Sequence, residues 1–391
     1  MKTYVKKAAA GLIAVLTLAS CTPASQPSVT GTATADPSKS ATNVPFTATY
    51  DYTMYSSNDQ FRFYEIKATY EGAEHAFLCR VPCKDVPDYA QDASVASRMD
   101  PQINTLNAMS KVANVWVYVA SGLENHDVML DIAPAEYKGS NFNYFKDHLS
   151  DGVWFGCLDI KTIKDRVDGY YASDHHWNSV GMDKAYREIA AAMAEKYPDI
   201  TAREGVFHET AAQYIGSIGR GTSVRSYMDT FAFFDYNLPD HETKVLRVDN
   251  DNKPTRKAKN GVVLYASEVS AAENMAKYLS GEWNKNIDYD HYVNFYPICD
   301  EIVYSGNSTG RNLLFIGDSF SLGLQELVAS HFDKTYFFYS DGTATLYKKR
   351  DFAAYCENNG ITDVIVIEDS TRLFYDYYDY SGPALCNLVA E

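Results

Sequence analysis

Two short stretches carry residue types that together do chemistry: Asp174-His175-His176-Trp177 and, much later, Gly317-Asp318-Ser319-Phe320. A serine hydroxyl is a poor nucleophile until a base takes its proton, and that base is usually a histidine held in one tautomer by a carboxylate. In an extended segment residues two apart face the same way, so Asp174 can reach His176 directly. Leu313 to Ile316 reads as a buried parallel strand, and Gly317 permits a sharp reversal. Leu324, Leu327, Val328 and Phe332 then repeat at helical spacing within Leu322 to Phe332, so Ser319 falls where a strand becomes a helix. In an open α/β sheet that is the ligand-binding end of a strand, and the helix N-terminus favours negative charge. A serine there can attack an acyl carbon while N–H groups hold the oxyanion. A serine there also commonly does no more than cap the helix.

Neighbouring residues have blander roles. His175 reads as a packing or hydrogen-bonding neighbour, Trp177 as a packing residue that orients the loop, and Asp318 as a tie for the turn. Metal ligation by adjacent histidines lacks further ligands at readable spacing, and Cys79-x-x-x-Cys83 lacks a second closely spaced pair, so no metal is expected. The run Gly216 to Gly221 lacks the Lys-Ser/Thr of a phosphate loop and reads as a turn, although it could lend an oxyanion donor. Asp249 to Lys253 lacks the glycine and closing glutamate of a calcium loop and reads as a turn. No cofactor motif is present, and none is expected.

Asp-His-His-Trp followed much later by Gly-Asp-Ser-Phe resembles the DHHW-motif proteins, which are similar to bacterial alginate O-acetylation proteins within the SGNH/GDSL hydrolase superfamily. Ordinary SGNH hydrolases place the serine first and an Asp-x-x-His last, whereas here Asp-x-His precedes the serine, as in the alginate-acetylation relatives. The resemblance spans about Phe61 to Leu388, with specificity confined to the two short blocks. It implies an α/β fold, an SGNH-hydrolase-like three-layer α/β/α sandwich with a mainly parallel sheet and insertions. It further implies Ser319 as nucleophile, His176 as general base and Asp174 as its orienting carboxylate. Separate Gly and Asn oxyanion blocks of the ordinary SGNH kind are not assignable. Gly317, Asp318, Phe320, Trp177, Gly216 and Asn307 are the support and oxyanion candidates. The implied activity is ester hydrolysis or O-acetyl transfer on cell-surface or extracellular polysaccharide, with a carbohydrate or acylated-glycan substrate and a place beside envelope polysaccharide machinery. A glycan-binding or assembly lipoprotein with a silent site is the rival of a different class.

The elements that must position these residues begin after a targeting segment, residues 1–21. Lys2, Lys6 and Lys7 precede the small, apolar run Ala8 to Thr17, which is too short to span a bilayer. Leu18-Ala19-Ser20-Cys21 resembles a lipoprotein cleavage box, so Cys21 is expected to carry lipid and anchor the protein outside the cytoplasm. Residues 22–48, rich in Ser, Thr, Pro and Ala, cannot bury enough surface to offset their chain entropy and read as a flexible tether. Residues 49–391 are expected to form one α/β domain, because the candidate base and nucleophile come from its opposite halves.

Hydrophobic residues make up 46% of the chain, ample for a core. The net charge is −16, and losing Lys2, Lys6 and Lys7 with the leader takes it to −19. That argues against nucleic acid as a partner and disfavours a broad grip on anionic surfaces, leaving room for a local basic cleft. Beyond Cys21 six cysteines remain, of which Cys79 and Cys83 are the most local candidates for pairing, with no connectivity assigned.

Strands are expected at Phe61 to Tyr70, Phe77 to Val81 and Asn114 to Val119, and helices at Ile103 to Val112 and near Lys161 to Val167. Met182, Tyr186, Ile189 and Met193 mark an amphipathic helix stopped by Pro198, which places Asp174 and His176 on the loop entering it. Tyr227 to Leu238 reads as an aromatic core strand. Thr335 to Tyr339 and Val364 to Ile367 flank a helix near Phe352 to Asn358, so the serine turn belongs to a β-α-β-α-β run. The tail from Phe374 to Tyr380 reads as a solvated acidic and aromatic segment.

Overall fold

Alternation along three adjacent strands builds two hydrophobic cores, one on each face of a sheet. Val115, Val117 and Val119 pack with Leu314, Ile316, Val364 and Val366 on one face, while Trp116 and Tyr118 pack with Leu313, Phe315, Ile365 and Ile367 on the other. A strand buried on both faces reads as a continuous apolar run, which is why these segments are legible as parallel strands. The computed structural model describes residues 49–57, 61–82, 96–120, 140–158, 160, 162–222, 227–245, 265–266, 276–277, 279–281, 287–288, 301–339, 350–374 and 388–389. Residues 46–391 form one compact unit; the other, 1–45, lies outside the described residues, and with it the leader and Cys21. The tether, the Asp249 to Lys253 turn, Cys83, Cys299, Cys386 and Tyr375 to Tyr380 also lie outside them.

In chain order the strands are β1 (Thr49–Ser57), β2 (Phe61–Tyr70), β3 (Ala73–Pro82), β4 (Asn114–Ala120), β5 (Val153–Cys157), β6 (Val206–Ile215), β7 (Asp229–Asp235) and β8 (Glu242–Val245). There follow β9 (Tyr265–Ala266), β10 (Ile287–Asp288), β11 (Glu301–Val303), β12 (Asn312–Gly317), β13 (Lys334–Tyr339), β14 (Arg350–Asp351), β15 (Ile361–Asp369) and β16 (Leu388–Val389). The helices are α1 (Ala96–Met109), α2 (Ser140–Asp147), α3 (Ile163–Gly169), α4 (Ser179–Lys196), α5 (Ser217–Gly221), α6 (Gln325–Ala329), α7 (Phe352–Asn359) and α8 (Ser370–Phe374), with a 3₁₀ turn at Ser319–Leu324.

The main sheet runs β5-β4-β15-β12-β13-β11-β8-β9. Its first five strands are mutually parallel and the last three pair antiparallel. Met182, Tyr186, Ile189 and Met193 of α4 and Leu327 and Val328 of α6 cover one face; Met99, Ile103 and Leu106 of α1, Phe145 of α2, Phe352 of α7 and Leu373 of α8 cover the other. This is the three-layer α/β/α sandwich with a mainly parallel sheet. The antiparallel sheet β1-β2-β3 and the sheet β10-β6-β7 are the insertions. Phe231 and Phe233 of β7 are fully buried, as an aromatic core strand requires.

Three local expectations change. The α1 helix starts at Ala96 and ends at Met109, earlier than Ile103 to Val112. The chain after β12 first makes a 3₁₀ turn, and only Gln325–Ala329 is α-helical. Gly216 to Gly221 is not a turn but a helix from Ser217.

Gly317 also differs in its reason. Left-handed backbone is found at Gly72, Gly281, Gly310 and Gly360 among the described glycines, and not at Gly317. What the site needs is space: a Cβ there would lie 2.5 Å from Ser321 Cβ and 2.9 Å from the Ile367 carbonyl oxygen. Because the second of these is backbone on a central strand, the chain cannot give way cheaply. Gly317→Ala is therefore expected to lower the unfolding free energy by about 1–3 kcal/mol, measured by denaturant titration.

Candidate active site

The strand order brings the two motifs together. Ser319 follows the carboxyl end of β12, and Asp174 and His176 lie on the loop between α3 and α4. That loop is built by local caps. Tyr170 and Trp177 form a β-bridge across it, and Tyr171 N–H donates to the His176 carbonyl. The Asn178 side chain accepts from Val180 N–H and Gly181 N–H to start α4, while its amide donates to the carbonyls of Asp168 and Tyr170. The turn therefore closes on itself before any partner element is added.

Asp174 and His176 are wholly buried and Ser319 nearly so, at 0%, 0% and 6% exposure. His176 Nδ1 lies 3.1 Å from Asp174 Oδ1, and His176 Nε2 lies 2.8 Å from Ser319 Oγ. With the carboxylate accepting, Nδ1 carries the proton and Nε2 is left as the acceptor for the serine hydroxyl. The three residues are thus in the order and contact that nucleophilic serine chemistry needs.

The Asp174 carboxylate is saturated. Oδ1 accepts from His175 N–H at 2.7 Å, from the Ser217 hydroxyl at 2.6 Å and from His176; Oδ2 accepts from the Tyr214 hydroxyl. Burial alone would raise its pKa, but the two imidazoles and their hydrogen bonds outweigh it and hold the carboxyl well below its ordinary range. His175 moves down: burial, the Arg80 guanidinium and His176 keep its ring neutral against the pull of Asp174.

Behind the loop, the Arg166 guanidinium of α3 donates to the carbonyls of Tyr171 and Asp174 at 3.1 Å each and stacks over Phe77 and Tyr170. Asp229 of β7 accepts from Ala172 N–H, Ser173 N–H and the Ser173 hydroxyl, and burial raises its pKa. These supports, with Tyr214 and Ser217, come from β6, β7, α3 and α5. Nothing in their own stretches marks them, because each acts only once the tertiary fold sets it beside the loop.

On the serine side Asp318 caps the 3₁₀ turn: Oδ1 accepts from Phe320 N–H at 2.9 Å and Oδ2 from Asp369 N–H at 2.8 Å. It ties the turn to the end of β15, as the sequence suggests. Phe320 packs its ring 4.5 Å from His176, and its carbonyl accepts from Trp177 Nε1–H at 3.0 Å. Trp177 thus joins the two motifs directly and is 0% exposed.

Two oxyanion candidates serve other purposes. Gly216 packs so tightly on Asp174 that a Cβ would overlap it, and its N–H donates to the Ser173 hydroxyl. Asn307 is corrected outright: both amide protons go to the carbonyls of Ser330 and Phe332, so it pins the chain after α6 and has no donor to spare. Phe320 N–H is likewise taken by the cap.

Asp174, His175 and His176 offer three ligand atoms within 4.8 Å of one another, a spacing a metal ion could use. The carboxylate, however, faces protons from Ser217 and Tyr214, and His176 is committed at both nitrogens. A cation would have to displace every one of these donors, so the cluster fits hydrogen bonding better than ligation.

Fold and geometry together define a three-layer α/β/α protein with a serine, a histidine and an aspartate in contact at the sheet's carboxyl edge. No family model and no curated protein matches the chain. Among solved structures it is similar to Bacillus cereus PatB1 with a sulfonyl adduct, at 17% identity over 80% of this chain and 97% of that one, with a TM-score of 0.55. It is also similar to a DHHW family protein from Eubacterium siraeum, at 16% identity over 83% and 95% of the two chains, with a TM-score of 0.51. The fold is the one that the Asp-His-His-Trp resemblance implies.

Asp174→Asn is expected to cost about 3 kcal/mol of stability, because an amide cannot receive four donors and turns an N–H toward one of them. The pH dependence has a definite sign. His175, held below its ordinary value near 6.5, and Asp174, held below its own, both favour folding by staying deprotonated while the unfolded chain takes up protons. Their contributions are full above those ordinary values and fall away on acidification. Urea titrations from pH 7 to 3 should show Asp174→Asn losing less stability than the parent below about pH 4. Equal losses would contradict the depressed carboxyl.

Proposed function

We propose that this protein is an extracytoplasmic serine acyl-transfer enzyme, acting on O-acyl esters of polysaccharide through an acyl group held on Ser319. The observation that carries this reading is the contact chain Asp174–His176–Ser319, 3.1 Å and then 2.8 Å long, closed off from solvent. His176 Nε2 takes the hydroxyl proton as Ser319 Oγ attacks the acyl carbon. Asp174 keeps the proton on Nδ1 and stabilises the imidazolium that forms. The leaving oxygen then receives the proton from Nε2, and an incoming hydroxyl reverses the sequence to release the acyl group.

The developing oxyanion needs a donor beside the nucleophile. Ser319 N–H is the donor we assign to that role, since the Asp318 cap engages Phe320 N–H instead. Carbohydrate as the substrate class rests on the resemblance to the alginate O-acetylation proteins. A partner without catalysis would have no use for a buried carboxylate, imidazole and hydroxyl in register, which favours the enzyme over the silent binder.

Attachment through Cys21 completes the proposal: a lipid anchor and a 27-residue tether, residues 22–48, would hold the catalytic unit off the membrane surface. Replacing Cys21→Ser should move the protein from the membrane to the soluble fraction after cell lysis; retention in the membrane would remove the anchor.

The central test uses the purified protein lacking residues 1–21 with acetylated polysaccharide and a fluorophosphonate probe. Ser319→Ala and His176→Ala should each reduce acetate release by about a thousandfold or more, and Ser319→Ala should abolish labelling. Labelling that survives in Ser319→Ala would end the assignment.

A further inference from the structure

His175 stands beside the general base and takes no part in the steps above, yet it shares the carboxylate. Its Nδ1 lies 2.8 Å from Asp174 Oδ1 and 2.9 Å from Ser217 Oγ. The Ser217 hydroxyl spends its one proton on Asp174 Oδ1. Only lone pairs therefore face His175 Nδ1, so Nδ1 must carry the ring proton. In a neutral ring that leaves Nε2 as an acceptor, and the environment keeps the ring neutral. Both imidazoles thus carry their proton on the nitrogen that faces Asp174 Oδ1, in the same tautomer, with centroids 4.0 Å apart. Because each Nδ1 points at that oxygen, each Nε2 points away from it.

The two rings differ in what they meet. His176 Nε2 is on Ser319 and its side chain is 0% exposed; the His175 side chain is 17% exposed, and nothing among the described residues donates to its Nε2. The site therefore presents a second oriented lone pair, on a partly exposed ring packed against the one that activates the nucleophile. An anion would gain nothing from a neutral acceptor, and an apolar group would strand it. A hydrogen-bond donor satisfies it.

We infer that the paired imidazoles bind two neighbouring hydroxyl groups of a carbohydrate acceptor, so that His175 selects a vicinal diol over water or an isolated alcohol. The inference rests on the acyl-enzyme reading above. The acyl group sits as an ester on Ser319 Oγ. One hydroxyl of the diol gives its proton to His176 Nε2 as its oxygen attacks the acyl carbon, and the neighbouring hydroxyl donates a hydrogen bond to His175 Nε2 without losing its proton. The tetrahedral carbon then releases Ser319 Oγ, which takes the proton back from His176. No other reactant is consumed, and the product is the acyl ester of the diol. His175 thus selects the acceptor in the second half of the reaction.

The experiment uses the protein lacking residues 1–21, 4-nitrophenyl acetate as donor, and cis-1,2-cyclohexanediol, cyclohexanol and water as competing acceptors. The initial burst of 4-nitrophenol reports formation of the acetyl-enzyme, and mass spectrometry of the products reports how it is discharged. The parent should acetylate the diol at least about fivefold more readily than cyclohexanol at equal concentration. His175→Asn keeps an N–H donor where Nδ1 was and removes Nε2, so the diol preference, the ratio of diol to cyclohexanol acetylated read per acetyl-enzyme formed, should fall to about one. His175→Gln, which restores a polar group near the Nε2 position, should recover part of it. A parent without diol preference, or a preference that survives in His175→Asn, would overturn the role of His175 and leave Ser319 as nucleophile. Absence of a Ser319-dependent burst in the parent would instead overturn the acyl-enzyme reading beneath it.

Discussion

A single buried carboxylate sets the geometry of this molecule. Taking an ionised group out of water costs several kcal/mol unless it is fully hydrogen-bonded. Asp174 meets that condition with donors drawn from its own loop, from the end of β6 and from the start of α5. The donors come from three elements, so the carboxylate is satisfied only when the loop, the end of β6 and the start of α5 are all in position. The insertions are therefore part of the site: β6 and α5 supply Tyr214 and Ser217, and β7 supplies Asp229 beneath the loop. Gly216 has no side chain because Asp174 occupies that space.

The serine side obeys a complementary constraint, which is closeness. Gly317 lets the turn approach Ser321 and the β15 backbone, Asp318 fastens the turn to Asp369, and Trp177 reaches from the other motif to the Phe320 carbonyl. A donor and an acceptor thus cross between the motifs at Trp177–Phe320 as well as at His176–Ser319. The first contact fixes the separation that the second needs, and it does so with groups that never have to exchange a proton. Packing and chemistry are divided between adjacent residues of the same four-residue stretch.

The parallel strands were legible because burial on both faces leaves an unbroken apolar run, and α4 because Met182, Tyr186, Ile189 and Met193 repeat on one face. The three contact residues were legible because their chemistry needs particular side chains in a particular order. What sequence could not supply was anything fixed by contact across the fold. Val153–Cys157 is too short and mixed to stand out, and it becomes a strand by pairing with β4. Asn307 carries the right amide for an oxyanion donor, yet the carbonyls that end α6 claim it first. Ser217 sat in a glycine-rich run that suggests a turn, and only the proximity of Asp174 explains its hydroxyl.

Arg166 shows how far the same logic extends behind the site. It is 1% exposed, two of its guanidinium nitrogens have no hydrogen-bond acceptor among the described residues, and burial lowers its pKa. A buried cation of this kind is a poor source of stability, since desolvation offsets what its partners return. Its remaining nitrogen instead grips the carbonyls of Tyr171, just inside the Tyr170–Trp177 bridge, and of Asp174, which carries the carboxylate. Phe77 and Tyr170 offer their ring faces to the charge in place of water. Asp229, on the far side of Ala172 and Ser173, holds the intervening N–H groups. The loop is therefore held at its carbonyls by a cation and at its amides by an acid, a pairing of backbone acceptor with positive charge and backbone donor with negative charge. Such a loop resists both sliding and rotation, and those are the two motions that would carry His176 Nε2 away from Ser319.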